Sequence, residues 1–286
     1  MLKNIRYKKT ILVVLAIFFF AIFISDSKYK KPHIAKITID NIITQDSFRY
    51  EKLEELSKNK NTKAVIAFIN SPGGTVVGGE TLYKSIKNIA QQKPIVSVMG
   101  EVATSAAYMA SLGSNYIFAQ KGTITGSVGV LILTSEITEL AKKIGVSTEV
   151  IKSGDLKASP SPLEKMTPKA REEMEKIVKE ISKNFINLVK IERKLDNNKT
   201  QLISDGRIFT GQSAVQLGLI DSIGNIKEAK EYLKTEYNIT KLPLLDFQIR
   251  KKEKFIERFL SYFTGNVNAN KFLNLRGLIS IWIPNI

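Results

Sequence analysis

The chain has 286 residues, 43% of them hydrophobic, enough to bury a full core as one large domain or two small ones. Cysteine is absent and His33 is the only histidine, which excludes disulfides, thiolate nucleophiles, cysteine-ligated metals and histidine-rich metal sites, and leaves a Ser-His-Asp triad a single imidazole to recruit. The net charge of +16 gathers at the ends, with seven basic and one acidic side chain in residues 1–31 and seven and two in 250–286; basic ends beside apolar segments suit anionic lipid headgroups rather than nucleic acid, for which no motif is present.

Residues 11–24, ILVVLAIFFFAIFI, form an unbroken apolar run behind Lys3, Arg6, Lys8 and Lys9. As a helix it would span roughly 21 Å, against about 30 Å of bilayer hydrocarbon. Flanking lysines can snorkel, so the run reads as an uncleaved, single-pass anchor, with a cleaved signal peptide ending near Ser25-Asp26-Ser27 as the competing reading. Either way the rest of the chain is expected outside a cytoplasmic (inner) membrane. From Ile34 short apolar runs alternate with helical stretches. IAKITI (34–39), KAVIAFI (63–69), PIVSVM (94–99), NYIFA (115–119) and STEVI (147–151) predict strands. Residues 47–59, 76–92 and 135–145 predict helices between them, and this order argues for an α/β layered domain with mostly parallel pairing. A long amphipathic helix is predicted from Thr167, its N-cap, with Pro168 in the first turn and Met174, Ile177, Ile181, Phe185, Leu188 and Leu195 on one face. The chain thus divides into an anchor segment (1–31), a folded domain (32–240) and a basic, apolar tail (241–286).

Three loops at strand ends could carry chemistry. INSPGGT (69–75) places two glycines after a proline, where amides can turn toward a ligand as an oxyanion hole requires; a tight turn before a helix is the plainer reading. EVATSAAYMAS (101–111) puts Ser105 at a helix start, either as a nucleophile or as an ordinary cap. KSGDLKASPSP (152–162) supplies lysines. A serine nucleophile needs a proton acceptor, and lysine can serve only if desolvation brings its reference pKa of about 10.4 down to roughly 7–8. Such a lysine must be nearly enclosed, whereas most lysines are solvated.

SPGG, ATSAAYMAS, GTITGSVGVL (122–131), KSGDLKAS and SDGRIFTGQSAVQLGLIDSIG (204–224) occur together and in order. In this the sequence resembles the signal peptide peptidase A group of serine proteases, peptidase family S49, in its short single-core form, over about residues 34–234. The resemblance implies a ClpP/crotonase-like fold of β-β-α units, with Ser105 as nucleophile and Lys157 as general base. It further implies an oxyanion hole from Gly73 or Gly74 and the Ser105 amide, and Ser127 orienting the lysine. Many members carry Gly-Gly after the nucleophile where this chain has Ala106-Ala107. The block 204–224 is expected to shape the fold only.

The resulting expectation is a membrane-anchored Ser/Lys endopeptidase for cleaved signal peptides and other short hydrophobic peptides, assembled from several copies, with no cofactor, metal or nucleic acid. Two alternatives share the fold: a crotonase-like acyl-CoA enzyme, for which Glu80 and Glu101 are the acidic residues near the glycine-rich loops, and a catalytically inactive membrane scaffold.

Overall fold

The computed structural model describes residues 30–251 and the backbone of 279–281. The expected anchor at 11–24 lies outside the described residues, and among these no helix is long and apolar enough to cross a membrane. In chain order the elements are β1 (His33–Asp40), α1 (Ser47–Lys58), β2 (Thr62–Ser71), β3 (Gly73–Thr75), α2 (Val76–Gln92), β4 (Ile95–Thr104), α3 (Ala106–Ser111), β5 (Tyr116–Ala119) and β6 (Ile124–Gly126). There follow α4 (Thr138–Lys143), α5 (Pro168–Arg193), α6 (Asn197–Ile203), β7 (Ile208–Thr210), α7 (Gly211–Leu217), β8 (Ser222–Ile223), α8 (Ile226–Tyr237), β9 (Leu244–Asp246) and β10 (Ile279–Ile281).

One sheet runs β7-β6-β4-β2-β1-β9, with β5 on β4 and β8 on β5. All its pairs are parallel except β6 with β7. The central strands are apolar on both faces because both are covered. Ala35, Ile37, Ile39, Val65, Ala67 and Ile69 pack on one side with Leu53 of α1, Leu82 and Ile86 of α2 and Phe185 of α5. Ile34, Ala64, Ile66, Val96 and Val98 face the other side, under Ala229 and Leu233 of α8. A mixed α/β layered fold is therefore present, as the alternation of runs predicted.

Local chemistry sets the element ends. Asp46 and Thr75 cap α1 and α2 by accepting from the amides of Arg49 and Gly78, and Thr167 caps α5 through the Ala170 amide at 3.1 Å. The strand expected at 147–151 does not form. Its residues are exposed, Ile151 at 93%, because β propensity makes a strand only where a sheet edge is within reach. The helix expected at 135–145 is confined to 138–143. Past residue 240 the chain still belongs to the fold: β9 pairs in parallel with β1, and Phe247 and Ile249 are buried in the main core. A three-residue strand is too short for its periodicity to show in sequence.

Within the block 204–224, Asp221 accepts the Ile117 amide at 2.7 Å and pairs bidentately with Arg193 of α5 at 2.7 and 3.1 Å. Arg193 Nε donates to the Gly218 carbonyl. Next to this clamp, the fully buried Tyr108 of α3 donates its hydroxyl to the Leu219 carbonyl at 2.9 Å, and burial pushes its phenol upward, so it stays a neutral donor. Tyr108→Phe should leave that carbonyl unsatisfied and cost about 1–3 kcal/mol, seen as a lower urea midpoint at unchanged m-value.

Candidate active site

The placement of Ser105 begins five residues upstream. Between β2 and β4 the register slips: Ile69 faces Met99, but Ser71 faces Ala103, so β4 carries two more residues than β2 over the same length. The amides displaced by this bulge find a side chain. Asn70 Oδ1 accepts from the Glu101 and Val102 amides at 3.0 and 3.1 Å. Gly100 is required here, since a Cβ would lie 2.8 Å from that oxygen. Thr123 closes the other side by donating to the Gly100 carbonyl at 2.7 Å. The bend divides β4, whose first half pairs with β5 and whose second half pairs with β6.

Ser105 follows immediately, with φ 57° and ψ −121°, in a region non-glycine residues rarely occupy and which costs about 1–3 kcal/mol. It stands in the N-cap position of α3, yet its side chain makes no capping hydrogen bond, so capping does not account for this serine. Its backbone is pinned instead: the amide donates to the Gly126 carbonyl at 2.8 Å and the carbonyl accepts from Met109 at 2.8 Å. The residue is 1% exposed. The run of small residues after it has a packing reason. Ala106 to Ser111 are all buried, and a Cβ on Gly79 of α2 would come 2.9 Å from that of Ala106. Two helices approach at this point with no room for larger groups.

The glycine loop reaches the same place. Gly73 has φ 112°, and a Cβ on Gly74 would fall 1.8 Å from the Ile43 carbonyl oxygen. The Ile43 amide donates to the Gly73 carbonyl and the Thr75 amide to the Ile43 carbonyl, each at 2.8 Å. Across a trans peptide, C=O and N–H point to opposite sides, so the Gly74 amide faces away from Ile43, toward the outer edge of β3. The Gly73 amide donates to Ser71 Oγ at 3.2 Å, and Thr104 Oγ1, one residue before the serine, donates to the Pro72 carbonyl at 3.0 Å.

Ser127 directly follows the glycine whose carbonyl holds Ser105. It has φ 53°, and its amide donates to the Arg207 carbonyl at 2.9 Å. Gly73, Gly74, Ser105 and Ser127 are therefore linked by backbone pairing together with the Thr104 and Ser71 hydroxyls. Two of the expected oxyanion donors, the Gly73 and Ser105 amides, are engaged with Ser71 and Gly126. Lys157 is exposed on a turn, where its amide donates to the Gly154 carbonyl at 3.0 Å. Sequence reasoning missed Asn70, Ser71 and Thr104. They lie inside or beside the quoted motifs, but their role depends on the bulge, which no spacing rule reveals.

A mostly parallel α/β sheet that turns through a strained, buried serine into a helix, beside a glycine-rich edge, defines a class of serine peptidase folds. The profile of the Clp protease family matches residues 35–123, and that of Peptidase family S49 matches residues 87–240. A protease candidate of Methanocaldococcus jannaschii is 32% identical over 213 residues, covering 74% of this chain and 68% of its own. A signal peptide peptidase SppA candidate of Enterococcus faecium is 31% identical over 220 residues, covering 75% of this chain and 64% of its own. Among solved structures, a lysine-to-alanine mutant of the 1510-N membrane-bound stomatin-specific protease, in complex with a substrate peptide, is similar at TM-score 0.49 and 18% identity, covering 82% of this chain and 99% of its own. The chain belongs to Peptidase family S49 and is a peptidase of that family.

Because Asn70 holds the bend that delivers Ser105, Asn70→Ala should lower peptide cleavage by at least about tenfold and cost about 1–3 kcal/mol, whereas an exposed control such as Lys84→Ala should change neither. Cleavage rate and urea midpoint measured together check this.

Proposed function

We propose that this chain is a serine endopeptidase that cuts short hydrophobic peptides, cleaved signal peptides among them, with Ser105 as nucleophile and Lys157 as general base. The observation that carries the reading is the backbone of Ser105: a buried serine held at φ 57° by bonds on both sides, without a capping role. Strain of this kind survives only where surrounding structure over-determines it, and it gathers at reactive groups. The relative named as a signal peptide peptidase supports the substrate class.

In this mechanism Ser105 Oγ attacks the scissile carbonyl while the neutral Lys157 amine takes its proton. The carbonyl oxygen becomes the oxyanion of a tetrahedral intermediate. Its donors are the Gly74 amide, turned to the outer edge, and the first amides of α3, which no helical carbonyl can satisfy. The lysine then gives its proton to the leaving amine, and water repeats the cycle on the acyl-enzyme. Ser127, which follows the glycine whose carbonyl holds Ser105, would orient the lysine amine by a hydrogen bond.

The base must be dry, yet in a single chain Lys157 is exposed. Around it in sequence lie unusually bare apolar side chains: Leu133, Leu140 and Ile144 are 68%, 61% and 70% exposed. Such a concentration marks a contact surface. A homo-oligomer that covers residues 131–163 would bury it and enclose the lysine in the same step. The N-terminal run 11–24 would hold the assembly on a cytoplasmic membrane, domain outward, within reach of the peptides it degrades.

Ser105→Ala and Lys157→Ala should each reduce cleavage of an apolar peptide by at least about 10⁴-fold while leaving the circular dichroism spectrum unchanged; normal turnover in either variant rejects the dyad. Leu133→Glu with Ile144→Glu should lower the mass seen by light scattering and the cleavage rate together, since both follow from covering one surface.

A further inference from the structure

β3 has two edges, and both are used. Toward the sheet, Gly73 and Thr75 bond to Ile43. The outer edge, where the Gly74 amide and carbonyl point, is taken by β10 in a separate two-stranded sheet. The pairing is antiparallel, with Ile279 opposite Thr75, Ser280 opposite Gly74 and Ile281 opposite Gly73. This edge runs beside the nucleophile, because the preceding Pro72 carbonyl is bonded to Thr104 and Ser71 is in register with Ala103. An extended peptide bound near Ser105 would use the same edge, since adding a strand is how a sheet edge captures unstructured peptides.

From this pairing we propose that residues 279–281 of the chain's own C-terminal region occupy the peptide track beside Ser105, so that this segment competes intramolecularly with substrate and holds the resting protein partly closed. The inference rests on the peptidase reading above for its functional consequence, though not for the docking itself. Three observations support the occupant. The strand is already seated on the edge, in defined register. The sequence there, LISIWI (278–283), is apolar like the peptides proposed as substrates. Among the described residues the last side chain in the main core is Ile249, so that core is built without β10. Covalent attachment keeps the competitor's local concentration above that of any dilute peptide. Yet only three residues pair, each hydrogen bond contributing about 0.5–1.5 kcal/mol, so a longer substrate can displace them. The device is a graded brake.

The test compares the full chain, the full chain with Ser280→Pro, and a chain ending at Lys251. Gly74 turns both its amide and its carbonyl to this edge, so Ser280 opposite it is the residue whose amide faces β3, and proline there removes that donor. A fluorescein-labelled peptide of residues 276–286 is titrated against each while anisotropy is read, and cleavage of an unrelated apolar peptide is measured in parallel. The expected result is binding to both altered chains about tenfold tighter than to the unaltered one, with cleavage faster by a similar factor. Equal binding to all three chains, or binding to none, overturns the docking. Tighter binding to the altered chains with no cleavage by any of them upholds the docking and rejects the peptidase reading. Should the shortened chain fail to fold, the proline variant alone decides.

Discussion

A single side-chain oxygen, Asn70 Oδ1, receives the two amides that the bulge in β4 would otherwise leave without partners, and the geometry of the site follows from that capture. Parallel strands in register would carry β4 straight on beside β2. The extra two residues bend it instead, so that Ala103 still faces Ser71 of β2 while its last three residues pair with β6 and its end meets Gly126. The Ser105 amide is bonded there, and the following helix starts at once. The Glu101 amide lies at the surface, but the Val102 amide is partly buried, where lacking a partner is costly. A bulge of this size therefore persists only with a dedicated acceptor, and Asn70 supplies it from the neighbouring strand.

The same economy of space governs the contact between α2 and α3. Gly79 and Ala106 meet with no allowance for larger side chains, and Gly74 lies against the Ile43 carbonyl. The glycine edge and the serine turn are joined by the Thr104 hydroxyl, which donates to the Pro72 carbonyl at 3.0 Å. In the proposed mechanism that proximity would let an amide of one segment stabilise charge developing at the other. Thr75 links the two functions of the loop, since it ends β3 and caps α2 through its hydroxyl.

Around this rigid centre the chain presents less self-sufficient surface. The region 131–163 exposes apolar groups that a single copy leaves uncovered, and α5 buries Phe185 and Val189 while Ile177 in its first half is 39% exposed. A centre determined within one chain and a periphery that calls for a neighbour suit an enzyme whose enclosure depends on assembly.

The amino-acid sequence alone determined the layered α/β order, the strands at the centre of the sheet, the cap at Thr167, and the serine and glycine blocks. Each of these rests on local chemistry: periodic burial, a hydroxyl at a helix start, a residue without Cβ. The tertiary structure alone decided that Ser105 is strained rather than capping, that Asn70, Ser71 and Thr104 brace it, that 147–151 forms no strand, and that β9 and β10 lie on edges formed far earlier in the chain. Those features depend on which strand lies next to which and in what register, and register is set by contacts between residues distant in sequence that no local pattern encodes.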